Sequence, residues 1–220
     1  MRIARFALFR TRVTPLEAFH VVILRVGSRY SVNMTPVTLE REAFVLRPPS
    51  SGDIDAITEA CQDPMLLHWV PLPVPYTRAH AAEFVPQVTD AGWRNGTACT
   101  WVIERAGELA GMISLNDIDQ GSASIGYWAA RSHRRTGTVT AAGQAVLDFA
   151  FAPEPHGLGL SRVEWRAHTG NRATAAVAQR LGFTFEGIAR SAGVIRGQRR
   201  DEWMAGLLST DDRSPADWHL

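Results

Sequence analysis

The sequence predicts a mixed α/β protein, in which one sheet with strands of both directions carries helices on its faces. Two features of the 220-residue chain support this class. Alternating apolar and polar residues, separated by turn residues such as Asn, Asp and Gly, predict three consecutive strands in the middle of the chain. The strands that follow are separated by segments of helical periodicity, so the sheet cannot consist of hairpins alone.

Taken in chain order, short strands alternate with helices. The seven predicted strands span 43–46, 99–104, 109–115, 124–130, 160–168, 184–189 and 202–208. The four main predicted helices span 50–62, 77–93, 139–151 and 171–181, with a short helical piece at 63–70. We expect Pro86 to kink the second helix, because proline lacks the N–H that the helix ladder needs. A Rossmann fold is not predicted, since Gly157 and Gly159 precede a strand instead of following one.

The composition indicates a globular protein and argues against several other classes. Apolar residues make up 45% of the chain and charged residues 20%, and the net charge of +1 gives no indication of nucleic-acid binding. No apolar run approaches the roughly 20 residues that a membrane helix needs. Two cysteines, Cys61 and Cys99, and scattered histidines lack metal-ligand spacing. We therefore expect no metal site, no disulfide framework and a cytoplasmic location.

Residues 1–33 differ from the rest of the chain in charge, with six arginines and a single acid, Glu17. A secretory signal fits poorly, because Glu17 and His20 interrupt the apolar segment. A basic arm for an anionic partner is one alternative, and a start of translation at Met34 is the interpretation we favour. The predicted organisation is an N-terminal extension (1–33), one domain (34–210) and a C-terminal tail (211–220).

A basic, glycine-containing segment leads directly into the predicted helix 139–151 and has the features of a phosphate-binding loop. The N–H groups at a helix N-terminus, together with the helix dipole, favour an anion. Gly137 allows close approach of the backbone, and neighbouring side chains add charge and hydrogen-bond donors. The candidate ligands are Arg134, Arg135, Thr136, Gly137, Thr138, Val139 and Thr140. The alternative is an ordinary strand-to-helix connection with solvated arginines.

Several motifs, in this order, resemble those of the GNAT superfamily of N-acetyltransferases. Arg134-x-x-Gly137-x-Val139 is similar to its acetyl-CoA pyrophosphate motif, Q/R-x-x-G-x-G/A, and departs from it at Val139. Residues 125–128, 171–174 and 181–187 resemble segments of the ribosomal-protein N-terminal (serine/alanine) acetyltransferase branch. The resemblance extends over about residues 39–208.

This resemblance implies both a fold and a way of binding the acetyl donor. The expected sheet is mixed, mostly antiparallel and seven-stranded, splayed between strands 4 and 5 and flanked by about four helices. Acetyl-CoA is the implied co-substrate, with its pyrophosphate on the loop 134–140 and its pantetheine arm on backbone near Trp128 and Ala129. An N–H of strand 4 would polarise the acetyl carbonyl, which an amine attacks directly.

Two residues of the helix that follows are candidates for catalysis by resemblance. Asn171 would bind the pantetheine arm, and Thr174 matches a serine proposed to protonate the departing CoA thiolate. The alternatives are a helix N-cap for Asn171 and an ordinary surface threonine for Thr174. Two departures from the superfamily remove candidate proton-transfer groups, since Ser124 replaces a frequent glutamate and Ala178 replaces a frequent tyrosine.

The acceptor is expected to be a primary amine, either a protein N-terminus or a small molecule. A site without an obvious strong base favours α-amines, whose pKa of about 7.7–8.0 lies well below the value of about 10.4 for lysine. A non-catalytic acyl-CoA-binding regulatory module is the alternative that Ser124 and Ala178 keep open, and nucleic-acid binding through residues 1–33 is a third. No membrane partner is expected, and the chain is expected to be a monomer or a homodimer.

Overall fold

A computed structural model describes residues 34–220, and the predicted extension 1–33 lies outside the described residues. An open sheet of eight strands runs through the described part in the order β1-β2-β3-β4-β5-β6-β8-β7. All neighbouring strands are antiparallel except β5 and β6, which are parallel. The strands are β1 (Leu39–Arg41), β2 (Phe44–Arg47), β3 (Cys99–Arg105), β4 (Glu108–Asp119), β5 (Ser122–Ala129), β6 (Arg162–His168), β7 (Thr184–Ile195) and β8 (Gln198–Leu208).

The mixed, mostly antiparallel sheet is confirmed, whereas the predicted count of seven strands is wrong. The additional strand is β1, which pairs with β2 through three residue pairs across a tight turn. Three residues are too few to show the alternation that reveals a strand in a sequence. The predicted fourth and fifth strands correspond to β5 and β6.

Six α-helices occur in residues 34–220, and most were predicted. They are α1 (Ile54–Ala60), α2 (Pro64–Trp69), α3 (Arg78–Phe84), α4 (Ala91–Asn95), α5 (Thr138–Phe151) and α6 (Arg172–Arg180). The single helix predicted for 77–93 is divided, because a π-helical turn at Val85–Asp90 separates α3 from α4. Pro86 lies in this turn and cannot donate to the helix ladder, which accounts for the interruption.

Two hydrophobic cores lie on opposite faces of the sheet. The larger core joins α5 and α6 to Trp101, Ile113 and Trp165 of the sheet. The smaller core joins α1, α2 and α3 to Val102 and Met112. Because successive strand residues point to opposite faces, neighbours such as Trp101 and Val102 belong to different cores. Strands β1 and β7 form the two edges of the sheet.

The C-terminal segment 211–220 packs on the larger core. Trp218 is only 7% exposed, and its ring centroid lies 5.4 Å from that of Trp165 and 5.6 Å from that of Phe185. Its indole N–H donates to the carbonyl of Phe183 over 2.9 Å. Burial of an indole with a satisfied N–H is a large apolar contribution to stability.

We expect Trp218→Ala to lower the free energy of unfolding by about 3–5 kcal/mol, since it removes a buried indole and leaves a cavity against Trp165. Urea denaturation at neutral pH measures the change. The neighbouring, exposed His219→Ala is the matched control and should change stability by less than about 0.5 kcal/mol. A Trp218→Ala protein as stable as the control would show that 211–220 does not complete the core.

Candidate active site

The two parallel strands separate halfway along their length. Ser122–Ile125 of β5 pair with Arg162–Trp165 of β6, residue for residue, and the pairing then stops. Beyond that point β5 remains bonded only to β4, and β6 only to β8. The expected splay between these strands is therefore confirmed, and it leaves a gap bordered by Gly126–Ala129 on one side and Arg166–His168 on the other.

The hydrogen bonds of β5 to β4 decide which backbone groups face the gap. The N–H of Ala130 donates to the carbonyl of Ala110 over 2.9 Å. In an antiparallel ladder, alternate residues bond to the same neighbour. The N–H and C=O of Tyr127 and Ala129 are therefore directed to the gap, and those of Trp128 are directed to β4. A Cβ added to Gly111 of β4 would collide with the carbonyl oxygen of Trp128, which agrees with this assignment.

One part of the sequence interpretation is corrected by this geometry. Trp128 and Ala129 were expected to present backbone groups to a pantetheine arm, but only Ala129 has its groups on that side. Tyr127 takes the place of Trp128. The Trp128 side chain instead packs against the smaller core, on the face that carries α1, α2 and α3. Residue types alone could not show which backbone groups face the gap, because their direction depends on the register of the ladder between β4 and β5.

The predicted phosphate loop has the backbone conformation that an anion site requires. Gly137 adopts a left-handed conformation with φ of 80° and immediately precedes α5, and no atom lies within 4 Å of where its Cβ would stand. In this first turn of α5, the N–H of Ala141 is the first to form a helical hydrogen bond, and it donates to the carbonyl of Gly137. The amides of residues 138–140 thus lie at the open N-terminus of a 14-residue helix. This end of α5 fits an anionic group.

Hydroxyl groups and a further arginine surround the start of α5. Thr136 and Thr138 share a hydrogen bond of 2.8 Å between their hydroxyls, and Arg105 of β3 donates to the hydroxyl of Thr138 over 3.0 Å. A cavity of about 170 Å³ lies against these residues and Gly137. Arg105 was not predicted as part of the site, since only the fold brings this hairpin residue to the helix end. Val139 packs into the larger core, and Thr140 is half-buried in the same turn.

The two adjacent arginines of the loop have different environments. Arg135 is exposed and has a positive φ of 62°. Arg134 is 31% exposed and forms an ion pair with Asp63, which is 11% exposed, over 3.0 Å. The Arg134 guanidinium also donates to the carbonyl of Ala129 over 3.4 Å. Arg134 therefore connects the loop, the edge of the gap and α2.

Asp63 serves both this ion pair and the start of α2. Its carboxylate accepts from the N–H groups of Met65 and Leu66, at 2.9 and 3.1 Å. Burial acts to raise the pKa of Asp63, but Arg134 and the two backbone donors outweigh it, so its pKa lies below the ordinary value. The carboxylate is thus the stable form, and Arg134 stays in place while it is ionised.

The structure brings Thr174 to the gap and gives Asn171 a capping role. The Asn171 side chain accepts from the N–H of Thr174 over 3.4 Å at the start of α6. The Thr174 hydroxyl accepts from the indole N–H of Trp165 over 3.3 Å, which leaves its own hydrogen to donate. Tyr127 of β5 donates from its hydroxyl to the carbonyl of Thr174 over 3.0 Å, and burial raises the pKa of this phenol well above its ordinary range. The Tyr127 bridge was not foreseen as part of the site.

Two features of residues 34–220 bear on other functions. Within that range no group of three or more His, Cys, Asp and Glu side chains is arranged to hold a metal ion. None of the described helices is long and apolar enough to cross a membrane.

The sequence also matches a known family. Residues 44–184 match the family described as "Acetyltransferase (GNAT) domain", and the chain belongs to this family. The expectation of a GNAT superfamily member is therefore confirmed.

Among its relatives is the Bacillus subtilis protein named "Putative ribosomal N-acetyltransferase YdaF", 40% identical over 107 residues, which are 48% of this chain and 56% of the relative. The chain thus spans little more than half the length of that relative. "Uncharacterized N-acetyltransferase p20" of Bacillus licheniformis is 27% identical over 79% of this chain and 97% of its own length. Among solved structures, Mycobacterium smegmatis RimJ in complex with CoA-disulfide superposes with a TM-score of 0.70 at 26% identity, covering 79% of this chain and 86% of RimJ.

We expect the contribution of Asp63 to stability to depend on pH. A folded pKa below the unfolded value of about 3.9 gives a contribution that is fully present above that value and is lost as the pH falls through the folded pKa. Asp63→Asn should therefore be less stable than the wild type at pH 6, and the difference should narrow as the pH falls below about 4. Urea denaturation across this range measures it.

Asp55→Asn is the control for this prediction, because Asp55 also pairs with an arginine but has a side chain that is 79% exposed. It should change stability little at any pH. A difference between wild type and Asp63→Asn that stays constant down to pH 3 would contradict the proposed ionisation.

Proposed function

We propose that the chain is an acetyl-CoA-dependent N-acetyltransferase that modifies an α-amino group, such as a protein N-terminus. One observation carries the proposal: the gap between β5 and β6 offers unpaired backbone groups beside a helix N-terminus suited to an anion. An elongated ligand with a pyrophosphate at one end and amides along its length matches this combination. Names of relatives such as "ribosomal N-acetyltransferase" support the choice of acceptor.

In this proposal the donor is held mainly by the backbone. The amides of 138–140, with Arg135 and the hydroxyls of Thr136 and Thr138, would hold the pyrophosphate. The backbone of Tyr127 and Ala129 would bond to the pantetheine amides, as a neighbouring strand would. The bound donor supplies an activated acetyl thioester at the inner end of the gap. Arg134 would support the loop from its position between Ala129 and Asp63.

The residues around the gap would then assist the transfer in two ways. The Tyr127 N–H is directed to the gap and would donate to the oxygen on which negative charge develops during attack. The Thr174 hydroxyl can pass its hydrogen to the departing sulfur, since Trp165 supplies the hydrogen bond that this hydroxyl accepts. Positioning of the amine against the thioester supplies the remainder of the rate enhancement.

A non-catalytic acyl-CoA-binding module remains the second candidate function. Two observations favour it, since Ala178 is fully buried without a polar group and Ser124 is directed to Asp117 over 3.3 Å. Release of free CoA thiol in the presence of an amine, followed with a thiol reagent, decides between the two. A module without turnover would bind acetyl-CoA and release no thiol.

We expect Gly137→Glu to abolish detectable acetyl-CoA binding, because it places a carboxylate beside the pyrophosphate and strains a backbone with φ of 80°. Calorimetry with acetyl-CoA measures the affinity. Gly159→Glu is the matched control, since Gly159 also has a positive φ of 58° and open space around its Cβ position, but follows the opposite end of α5. Equal affinities of the two variants would contradict the assignment of the loop.

We expect a peptide with a free N-terminus to be acetylated in preference to the same peptide blocked there and carrying a lysine. At a pH of about 7.5 roughly a third of α-amines are neutral, against about one in a thousand lysine side chains, a difference of about 3 kcal/mol. Competition between the two peptides, followed by mass spectrometry, measures the ratio. Preferential acetylation of the lysine peptide would contradict an α-amine acceptor, while transfer to neither would favour the non-catalytic candidate.

A further inference from the structure

We propose that His168 is the base that removes the proton from the acceptor ammonium, with Glu202 as its positioning partner. The inference rests on the proposed acetyl transfer and adds the group that the sequence did not supply. None of the residues of β5, Ser122–Ala129, carries a carboxylate, so that strand offers no acidic base. His168 lies at the end of β6, on the other side of the gap.

His168 is a buried histidine whose ring lacks a hydrogen bond that it needs. It is 9% exposed, and its Nδ1 is enclosed without a hydrogen-bond partner in the described residues. The nearest charged group is the carboxylate of Glu202, on the neighbouring β8, whose Oε1 lies 3.8 Å from Nδ1. An enclosed imidazole nitrogen without a partner is unfavourable, and Glu202 is the acidic group nearest to it.

The position of His168 on β6 places it on the border of the gap, three residues beyond the last pair of β5 and β6. The parallel pairing ends at Ile125 and Trp165, and extension of the same register would set Trp128 opposite His168. This is the segment of β5 that we propose binds the donor. Across the gap from His168, the backbone of Tyr127 and Ala129 faces inward.

His168 also lies on the face from which an acceptor can arrive. Val163 and Trp165 of β6 are buried against α5 and α6, so His168, an odd number of residues away, is directed to the opposite face. Trp128 of β5 is directed to that same face. Since the phosphate loop belongs to α5, the donor and the acceptor would approach the thioester from opposite faces of the sheet.

The β7–β8 hairpin packs over His168. A Cβ on Gly193 of β7 would collide with the His168 ring and stand 2.6 Å from Oε1 of Glu202, so only glycine fits at that position. The tip of the hairpin reaches α2, where Arg196 donates to the carbonyl of Leu67. Trp69, at the end of α2, approaches to 3.7 Å of where a Cβ of Gly170 would stand. The hairpin thus covers the histidine, and the tip of the hairpin contacts α2.

The charges that face His168 come from its own strand and its neighbours. Glu202 of β8 is the acidic group within 4 Å. By strand alternation, Arg166 of β6 and Arg200 of β8 lie on the same face as His168. Glu164 of β6 also shares the face, but Arg162 and Arg166 hold its carboxylate through contacts of 3.3 Å each. Glu202 is therefore the group placed to stabilise an imidazolium.

The proton balance of the proposed step is complete. His168 accepts one proton from the ammonium, and the neutral amine attacks the thioester carbon to form the C–N bond. The C–S bond then breaks, and the sulfur takes the second amine proton through the Thr174 hydroxyl or water. The imidazolium finally releases its proton to solvent. The products are an amide, CoA thiol and one proton, with no oxidant or further reactant.

The test compares His168→Gln and Glu202→Gln with the wild type and with His156→Gln, an exposed histidine that serves as the matched control. At pH 7, kcat/KM for an α-amine peptide should fall about 100-fold in His168→Gln, within the range of general-base catalysis. Near pH 9 the loss should shrink to within about 10-fold, because the amine is then neutral without help. Calorimetry should show an unchanged affinity for acetyl-CoA.

A second readout is the pH profile of Glu202→Gln. Because Glu202 would act only through the imidazole, its loss of kcat/KM should be smaller than that of His168→Gln and should narrow at high pH in the same way. An equal loss of kcat/KM at every pH in His168→Gln, or full wild-type activity in Glu202→Gln, would overturn the assigned roles of His168 and its partner while leaving acetyl transfer intact. A wild-type protein that binds acetyl-CoA and never releases thiol would instead overturn the proposed function and this base with it.

Discussion

The divergence of β5 from β6 is the constraint on which the rest of the structure depends. Four residue pairs hold the strands together at one end, and the buried residues around Trp165 fix that end in the larger core. Past Ile125, the N–H and C=O groups that β5 and β6 direct toward each other no longer form hydrogen bonds between the two strands. Interior backbone groups without partners are costly, so such a gap persists only where side chains, solvent or a ligand complete it. The unpaired part of β5 thus exposes backbone groups that side chains, solvent or a ligand have to satisfy.

Two side chains at the gap connect it to the elements on either side. Tyr127 extends from β5 to the carbonyl of Thr174, and Arg134 extends from the loop to the carbonyl of Ala129 and to Asp63. Asp63 in turn caps α2, which borders the opposite face near Trp69. One ion pair therefore connects the loop to α2.

The sequence predicted the local features of the site and missed those that depend on register or on distant contacts. Gly137 and the helix after it are contiguous, so the motif revealed them together. Tyr127, and not Trp128, directs its backbone groups to the gap because of the register between β5 and β4. The residue types do not reveal that register. Arg134 and Asp63 are 71 residues apart in the chain, and only folding joins them. Strand β1 escaped notice because three residues carry no periodicity.

The choice between amines is a matter of proton transfer as well as of shape. Removing the proton from a lysine ammonium, with a pKa of about 10.4, costs about 3 kcal/mol more than removing it from an α-ammonium, with a pKa of about 8. In the proposed step the same base serves either amine, so this difference is preserved whatever Glu202 contributes to the imidazolium. The hairpin over Gly193 is then left to select the residues that follow the N-terminus.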